Sequence, residues 1–415
     1  MIKLTVNTKR LGPVLARHPW IFSGALKNLP QGLDCGMPVA IFDESDKFIG
    51  QGYFNSYSQI AVRLWGFDEA EVVDQKFFDN RIKNALEIRE QFVLSKNTDA
   101  CRLVYGENDF LPGLVVDKYG DYLSVQFHNR GIEFWKEQIV SALVKIIKPK
   151  GVYERSDMKA RGIEGAESKN GLLYGKVSEK VEIKENGLKF WVDIMTGQKT
   201  GFFLDQRDKR LALQKYVKDK KVLNCFSYTG GFSVYAATAG AKKTVSVDAS
   251  QGAIDLAKEN FKLNKLDLKK AEFIVADVKD YLHRHYEEPD FNQVTKQSHG
   301  IATLPSVARN DTFDVIILDP PAFIKDRHKI KEGLVGYRKI NEAAMRILPQ
   351  GGILVSASCS AHLNLTDFRH MLANSAGRAG KNLQILETFT HGMDHPELAA
   401  YTEGEYLKVI FAKVM

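Results

Sequence analysis

From about residue 205 onward, short apolar segments alternate with segments of helical period. The apolar segments read KVLNCF, KTVSVD, EFIVAD, DVIILD, GGILVSAS and, near the end of the chain, EYLKVIFAKV. Each has the length of a buried strand, and β-branched residues are frequent in them. Strands that alternate with helices form a mostly parallel sheet covered by helices on both faces. This part of the chain is therefore predicted to be an α/β domain.

The first half of the chain has a different pattern. Residues 1–74 contain strand-like pieces separated by glycines, which predicts a small β-barrel. Residues 75–95 have helical period, and a hairpin signal (KYGD) follows between two alternating runs, which predicts a central α+β domain. Because 415 residues exceed one compact core, we predict three domains: 1–74, 75–190 and 191–415. The polar stretch 284–310 is predicted to be an insertion in the third.

Composition restricts the class of protein. No apolar run approaches the roughly 18 residues that span a bilayer, and the N-terminus lacks the apolar block of a signal peptide, so we expect a cytoplasmic protein without membrane contact. The four cysteines are far apart and form no CxxC pair, which predicts neither a metal site nor disulfides. The net charge of +7 is compatible with a polyanionic partner but is equally typical of a solvated surface.

A cofactor site is predicted where three strands end. The strand KVLNCF leads into Ser-Tyr-Thr-Gly-Gly, where glycines allow close backbone approach and a helix N-terminus offers free N–H groups. Asp248 follows the next strand, 18 residues after Gly230, as suits a carboxylate that binds ribose hydroxyls. Asp277 follows the third strand, where it can accept a hydrogen bond from an adenine amino group; helix capping is the alternative for both acids. The residues predicted to contact the cofactor here are Phe226, Tyr228, Thr229, Gly230, Asp248, Ala249 and Asp277.

The glycine turn is not GxGxxG, which disfavours NAD and favours a cofactor with ribose and adenine but no phosphate. These features resemble the class I S-adenosylmethionine-dependent methyltransferases. That resemblance implies a Rossmann-like sheet and S-adenosylmethionine as cofactor.

The fourth strand ends in Asp-Pro-Pro-Ala-Phe. Prolines at 320 and 321 fix the backbone and supply no N–H donors, so the corner presents carbonyl acceptors beside Asp319. Next to the methyl donor, Asp319 can contact the Watson–Crick edge of a base, and Phe323 can stack on it. The alternative is a rigid turn with a capping aspartate. Asp319, Pro320, Pro321 and Phe323 are therefore candidate contacts of a nucleobase, and Asp319 also of the cofactor.

Cys359 follows the next strand, GGILVSAS. It is either a small buried hydrophobe or a nucleophile. C5 of a pyrimidine is a weak carbon nucleophile, but a thiolate that adds at C6 makes C5 enamine-like, after which a base removes the C5 proton. Methylation of an exocyclic nitrogen needs no cysteine. We predict that Cys359 is the nucleophile and Asp319 its acidic partner, and that Cys225 is a packing residue.

Several further stretches resemble one family over nearly the whole chain. LDPPAF and SASCS are similar to the RNA 5-methylpyrimidine methyltransferases, and MTGQKTGFFLDQR resembles a signature of the bacterial 23S rRNA cytosine-C5 methyltransferases. KRLGPVLARHPWIFSGAL resembles the start of their N-terminal PUA-type RNA-binding barrel. The resemblance implies methylation of C5 of a cytosine in 23S rRNA through a cysteine adduct at C6, and a homodimer is possible.

The same resemblance implies roles for residues that spacing alone does not mark. In the signature, it implies cofactor contacts for Gln198, Thr200, Phe202, Asp205 and Arg207. At the N-terminus, it implies contacts with RNA phosphates and bases for Lys9, Arg10, Arg17 and Trp20.

Three alternatives remain open at this point. Asp-Pro-Pro-Ala-Phe also resembles the box that exocyclic-amine methyltransferases use on N6 of adenine or N2 of guanine. A C5-uracil methyltransferase would share the cysteine chemistry. An RNA-binding protein whose catalytic domain has lapsed would bind no S-adenosylmethionine.

Overall fold

The structure, a computed structural model, describes residues 1–27, 29, 32–197, 200–286 and 312–415. It separates into two compact units, Met1–Arg207 with His391–Glu405, and Asp208–Thr390 with Tyr406–Met415. The first two predicted domains both fall in the first unit, and the three-domain division stays a prediction. Most of the polar stretch 284–310 lies outside the described residues. Within the described ranges, no helix is long and apolar enough to cross a membrane.

The N-terminal sheet of the first unit has five strands in the order β1-β3-β4-β5-β2. Apolar residues alternate along them, and Val39, Ile41 and Val62 are fully buried in the core that they form. Strand β1 pairs with β3 in parallel, and the other pairs are antiparallel. The elements are β1 Ile2–Thr5, α1 Leu11–Leu15, β2 Trp20–Phe22, β3 Pro38–Phe42, β4 Phe48–Phe54 and β5 Ile60–Gly66.

A second five-stranded sheet follows, in the order β10-β9-β8-β7-β6. The predicted hairpin is confirmed: β7 and β8 are antiparallel and Tyr119 pairs with Tyr122 across the turn. The predicted helix is also confirmed, and Asp74 caps its N-terminus by accepting from the Phe77 N–H. The elements are α2 Gln75–Phe92, β6 Ala100–Tyr105, β7 Leu114–Tyr119, β8 Tyr122–Phe127, α3 Arg130–Glu133, α4 Lys136–Ile147, β9 Gly151–Ser156, β10 Lys169–Gly175, and the hairpin β11 Val181–Glu185 with β12 Leu188–Val192.

The second unit contains the predicted α/β sheet, with seven strands in the order β15-β14-β13-β16-β17-β19-β18. The first five in that order are parallel, and β19 is antiparallel to both of its neighbours. The elements are α5 Arg207–Leu213, β13 Lys221–Cys225, α6 Gly231–Thr238, β14 Lys243–Asp248, α7 Gln251–Leu263, β15 Ala271–Val275, α8 Val278–Tyr286, β16 Val315–Leu318, α9 Ile330–Ile347, β17 Ile353–Ser358, α10 Leu365–Arg378, β18 Leu383–Phe389 and β19 Lys408–Val414.

Strand β16 lies at the centre of this sheet, between β13 and β17, and its sequence is a run of four apolar residues. All four of its residues are buried, because Ile316 and Leu318 pack into the core on one face and Val315 and Ile317 into the core on the other. Parallel strands end at the same edge of a sheet, so the residues after β13, β14, β16 and β17 lie along one edge. The predicted Rossmann-like fold is confirmed, and this edge contains the candidate site.

Candidate active site

Asp319 and Cys359 follow two neighbouring parallel strands. β16 and β17 pair from Val315–Ile353 to Leu318–Ser356, so both residues lie at the carboxyl edge. The Sγ of Cys359 lies 3.9 Å from the carbonyl oxygen of Pro320. The fold therefore brings the candidate nucleophile against the Asp-Pro-Pro corner.

Cys359 differs from the other three cysteines in its environment. Cys35, Cys101 and Cys225 are buried, whereas Cys359 is only half-buried. Burial raises the pKa of the Cys101 thiol to about 12, and it also raises the pKa of Cys225. A buried thiol with a raised pKa forms little thiolate at neutral pH. Cys225 thus behaves as a packing residue, as the sequence predicts.

Hydrogen bonds fix the turn after β17 to the loop after β16. The Ser360 hydroxyl bonds the Tyr337 hydroxyl at 2.9 Å and accepts from the Ile324 N–H at 3.2 Å. Burial raises the pKa of Tyr337, so its hydroxyl stays protonated. These bonds join two segments that each contain a candidate catalytic residue, which restricts how far those residues can move apart.

Sequence reasoning missed Lys408, which supports the same turn. Its side chain is buried, and Nζ donates to the carbonyl oxygens of Ser360 and Tyr406, both at 2.9 Å. The signal in the sequence is a lysine at the start of a mostly apolar strand, within EYLKVIFAKV.

The aromatic residue of the corner has contacts of its own. Phe323 is half-buried, its ring centroid lies 4.7 Å from that of Tyr337, and the Lys279 ammonium lies 5.4 Å from it. Pro320 is buried and Pro321 is exposed. Contacts of Phe323, Pro320 and Pro321 with a base stay a prediction.

The segment 226–231, which we call the cofactor turn, has an uncommon backbone. Phe226, Tyr228 and Gly230 have φ angles of 57°, 47° and 77°. Positive φ is uncommon for residues other than glycine, and such conformations concentrate at ligand sites. A Cβ at Gly230 would lie 2.9 Å from the Cβ of Ala257. Helix α6 begins directly after this turn without a side-chain cap at Gly230, so its first N–H groups remain available to a ligand.

Asp248 supports the turn and keeps capacity for a ligand. Its Oδ2 accepts from the Tyr228 N–H and its Oδ1 from the Ser250 N–H, both at 2.9 Å. A carboxylate has about four acceptor positions, so two remain for ribose hydroxyls. The residue is half-buried, and Ala249 beside it is exposed.

Two hydroxyls in the turn fit a bound ligand. Ser227 Oγ and Thr229 Oγ1 are buried and have no hydrogen-bond partner among the described residues. Asn260 fixes the Thr229 carbonyl oxygen by donating to it at 2.9 Å. The turn thus combines two unsatisfied buried hydroxyls, the closely packed Gly230 and the Asp248 carboxylate, which can accept further hydrogen bonds. This combination suits a nucleoside-type cofactor.

Asp277 has the capping role that the sequence left as its alternative. Its Oδ1 accepts from the N–H groups of Lys279 at 2.8 Å and Asp280 at 3.2 Å, at the start of α8. The side chain is exposed. A bond to adenine stays a prediction for the other carboxylate oxygen.

Four candidate residues of the signature stretch lie in the first unit and are buried: Thr200, Phe202, Asp205 and Arg207. Thr200 bonds the Tyr119 hydroxyl at 3.0 Å and donates to Asp117. The Phe202 ring lies 5.1 Å from that of Phe190, and Asp205 is also buried. Gln198 lies outside the described residues.

Arg207 is buried and forms an ion pair within the first unit. Its Nη2 lies 2.7 Å from Oδ1 of Asp394, and its Nη1 donates to Oδ2 of Asp394 at 3.1 Å. This carboxylate accounts for the charge of Arg207 without a ligand. Cofactor contacts for Thr200, Phe202, Asp205 and Arg207 stay predictions.

The basic N-terminal residues are exposed, but the predicted stacking residue is engaged. Lys9, Arg10 and Arg17 are exposed, and the Arg17 guanidinium lies 4.3 Å from the Phe67 ring. Trp20 donates from Nε1 to Glu107 at 2.8 Å, and its ring lies 5.0 Å from that of Tyr401. RNA contacts stay a prediction for all four residues. The three cations are exposed to solvent, whereas Trp20 would have to give up contacts within the protein to stack on a base.

No group of three or more metal-ligating side chains occurs among the residues that the structure describes.

Replacing Gly230 by alanine is expected to weaken S-adenosylmethionine binding roughly tenfold. The left-handed conformation costs an alanine about 1–2 kcal/mol, and its Cβ would also press on Ala257. Calorimetric titration measures the change. The control is Gly252→Ala on α7, where a Cβ meets nothing within 4 Å. Equal affinities in the two variants would contradict the assignment of the cofactor turn.

Two family models match the chain. One, described as S-adenosylmethionine-dependent methyltransferase, covers residues 164–407, and the other, described as a PUA-like domain, covers residues 4–67. The second agrees with the N-terminal sheet, and the first contains the cofactor turn, Asp319 and Cys359.

Relatives match over their full lengths. Proteins named ribosomal RNA large subunit methyltransferase I from Enterobacter sp. and Escherichia coli are 38% and 39% identical over 100% of this chain and of their own. A Streptococcus mutans structure, described provisionally as a SAM-dependent methyltransferase, has 27% identity, a TM-score of 0.80 and full coverage of both chains. A second structure at 27% identity, with a TM-score of 0.82 and full coverage, contains the product S-adenosylhomocysteine. The chain belongs to the S-adenosylmethionine-dependent methyltransferases, in the PUA-containing family of ribosomal RNA large subunit methyltransferase I.

Proposed function

We propose that this protein methylates C5 of a cytosine in 23S rRNA, with Cys359 as a covalent nucleophile. The relatives are named as large-subunit rRNA methyltransferases, which supports rRNA as the substrate and the bacterial cytoplasm as the place of action. One observation carries the choice of carbon: the half-buried Cys359 thiol lies 3.9 Å from the Pro320 carbonyl, beside Asp319. An exocyclic-amine methyltransferase has no use for a thiol at this position.

The residues divide the reaction into addition, transfer and elimination. The Cys359 thiolate forms a bond to C6 of the base, and Asp319 stabilises the resulting charge by protonating or hydrogen-bonding N3. Bound S-adenosylmethionine supplies the methyl group that C5 takes. A general base then removes the C5 proton, the C5–C6 double bond re-forms, the C6–S bond breaks to return the thiolate, and any proton given to N3 returns to Asp319.

The cofactor turn and the Asp-Pro-Pro corner divide the binding task. Phe226, Tyr228, Thr229, Gly230 and Asp248 would hold the nucleoside part of the cofactor. Pro320, Pro321 and Phe323 would orient the base, and Lys9, Arg10 and Arg17 would contact rRNA phosphates.

The experiment that tests this function is nucleoside mass spectrometry of rRNA. Unmodified 23S rRNA is incubated with the protein and labelled S-adenosylmethionine, digested and analysed, and the labelled position is mapped. We expect 5-methylcytidine at one position. Label in N6-methyladenosine or N2-methylguanosine would favour the amine alternative, and label in 5-methyluridine would favour uracil. Absence of both cofactor binding and label would favour an RNA-binding protein without catalysis.

A further inference from the structure

A lysine-rich surface lies at the edge of the α/β sheet opposite the candidate active site. The amino ends of β13, β14, β15 and β16 meet there. Backbone bonds join two of the loops, from the Asp219 N–H to the Gly240 carbonyl at 2.9 Å and from the Lys242 N–H to the Lys220 carbonyl at 2.8 Å. Those loops and a third surround a cavity of about 290 Å³, lined in part by Asp219, Lys242 and Lys270.

This surface, which we call the lysine face, concentrates the charge of the chain. Among the residues that the structure describes, it has nine lysines and four acids, a net charge of +5, in a chain whose net charge is +7. Two of the acids are already paired with lysines, Glu272 with Lys243 at 2.5 Å and Asp314 with Lys220 at 4.0 Å. The lysines are Lys218, Lys220, Lys221, Lys242, Lys243, Lys262, Lys265, Lys269 and Lys270, and the acids are Asp219, Asp267, Glu272 and Asp314.

We infer that the lysine face binds the phosphate backbone of the RNA substrate, away from the target base. The inference rests on the proposed function, which makes the substrate a large polyanion. Lysine is a flexible point charge that suits phosphates without selecting a sequence. Strands of five residues at about 3.3 Å per residue separate the two sheet edges by roughly 17 Å. A folded RNA that places its base at one edge can contact the other edge with a separate segment.

The test is RNA affinity as a function of salt for a quadruple variant, Lys218→Gln, Lys242→Gln, Lys269→Gln and Lys270→Gln. The control removes four exposed lysines from the first unit, Lys83→Gln, Lys96→Gln, Lys148→Gln and Lys176→Gln. Each phosphate contact contributes about 0.7–0.9 to the slope of log K against log salt. The lysine-face variant should lose roughly 3 from this slope and bind an rRNA fragment at least about tenfold more weakly.

Two readouts separate this inference from the proposed reaction. S-adenosylmethionine affinity should be unchanged in both variants, because the cofactor turn lies at the other edge. If wild-type protein makes no 5-methylcytidine and the lysine-face variant still loses RNA affinity, the surface stands and the proposed reaction fails. An affinity and slope equal to those of the control would overturn the surface.

A second inference concerns Lys408, and different contacts carry it. Lys408 is 1% exposed and pairs with Ser358 in the β17–β19 register. Its ammonium donates to the carbonyl of Ser360, the residue directly after Cys359, so a buried cation holds the turn that contains the thiol. Burying an ammonium is unfavourable unless hydrogen bonds satisfy its protons. We infer that Lys408 is a positioning residue that fixes the Cys359 turn and favours its thiolate.

The other titratable groups around Cys359 come from four segments. They are Asp319 after β16, Tyr337 on α9, His362 in the turn that follows Cys359, and Tyr406 before β19, which packs against the same core cluster. Tyr337 is neutral because burial raises its pKa, and Asp319 carries no positive charge in either protonation state. Lys408 is therefore the buried group of this set whose charge favours thiolate formation.

The test measures Cys359 alkylation by iodoacetamide against pH, read by peptide mass spectrometry. Lys408→Gln keeps a hydrogen-bond donor without the charge, and Lys408→Arg keeps the charge. The midpoint of alkylation should rise by about one pH unit or more in Lys408→Gln, a tenfold loss of thiolate, and should stay near wild type in Lys408→Arg. A Lys408→Gln variant that folds and keeps the wild-type midpoint would overturn this role. If methyl transfer proves not to need Cys359, a raised midpoint still supports the contact while the proposed function fails.

Discussion

Replacing Cys359 by alanine is expected to abolish methylation of rRNA while leaving cofactor binding intact. Removing a covalent nucleophile costs more than roughly 10³-fold in rate. The thiol lies at the Asp-Pro-Pro corner and packs only at the border of a core cluster, where it is half-buried, so its removal should cost little stability. Methyl transfer is measured with labelled S-adenosylmethionine, and cofactor affinity by calorimetry.

The matched control is Cys225→Ala. Cys225 is fully buried beside the cofactor turn, so its replacement should lower stability by about 1 kcal/mol, as for a small core truncation, and leave the rate per folded molecule unchanged. Full activity in Cys359→Ala would contradict the cysteine mechanism and favour the exocyclic-amine alternative.

A trapped adduct separates a nucleophile from a residue that merely supports the site. In RNA that contains 5-fluorocytosine, fluorine replaces the proton that the base must remove, so elimination stops after methyl transfer. Wild-type protein should then remain covalently joined to the RNA through Cys359, and Cys359→Ala should form no such complex. An adduct at another residue would move the nucleophile without changing the reaction class.

The α/β sheet of the second unit could be predicted from the sequence, because each of its strands and turns has a recognisable local residue pattern. Strand β16 is recognisable by its run of four apolar residues, and the turn after β13 by its two adjacent glycines. Asp319 and Cys359 were predicted to be neighbours because their strands end at one edge, and the 3.9 Å contact with Pro320 is consistent with that. The signals were local or depended only on strand order.

Other features could not be predicted, because they depend on contacts distant in sequence. The carboxylate beside Arg207 comes from residue 394, in the segment His391–Glu405 that returns to the first unit. The turn that Lys408 supports is 48 residues earlier in the chain. A lysine at the start of a strand marks Lys408 as unusual, but the local sequence identifies neither the turn that it supports nor the carboxylate that pairs with Arg207.

Removing the Arg207 guanidinium is expected to destabilise the first unit by roughly 3–5 kcal/mol, the cost of leaving one partner of a buried ion pair uncompensated. Asp394 is 0% exposed. Burial acts to raise its pKa, but His395 and Arg207 outweigh burial and hold the pKa well below its ordinary value. The carboxylate is therefore charged at neutral pH, and in Arg207→Met it loses the partner at 2.7 Å.

Denaturant unfolding and calorimetric titration together separate the two roles of Arg207. If it is structural, Arg207→Met loses stability but binds S-adenosylmethionine with wild-type affinity under conditions where it is folded. The double variant Arg207→Met with Asp394→Asn should regain part of the loss, because no unpaired charge remains. Lys83→Met, at an exposed pair with Glu87, is the control and should change stability by less than about 1 kcal/mol. Unchanged stability with a large loss of cofactor affinity would instead return Arg207 to the cofactor contact that the signature stretch implies.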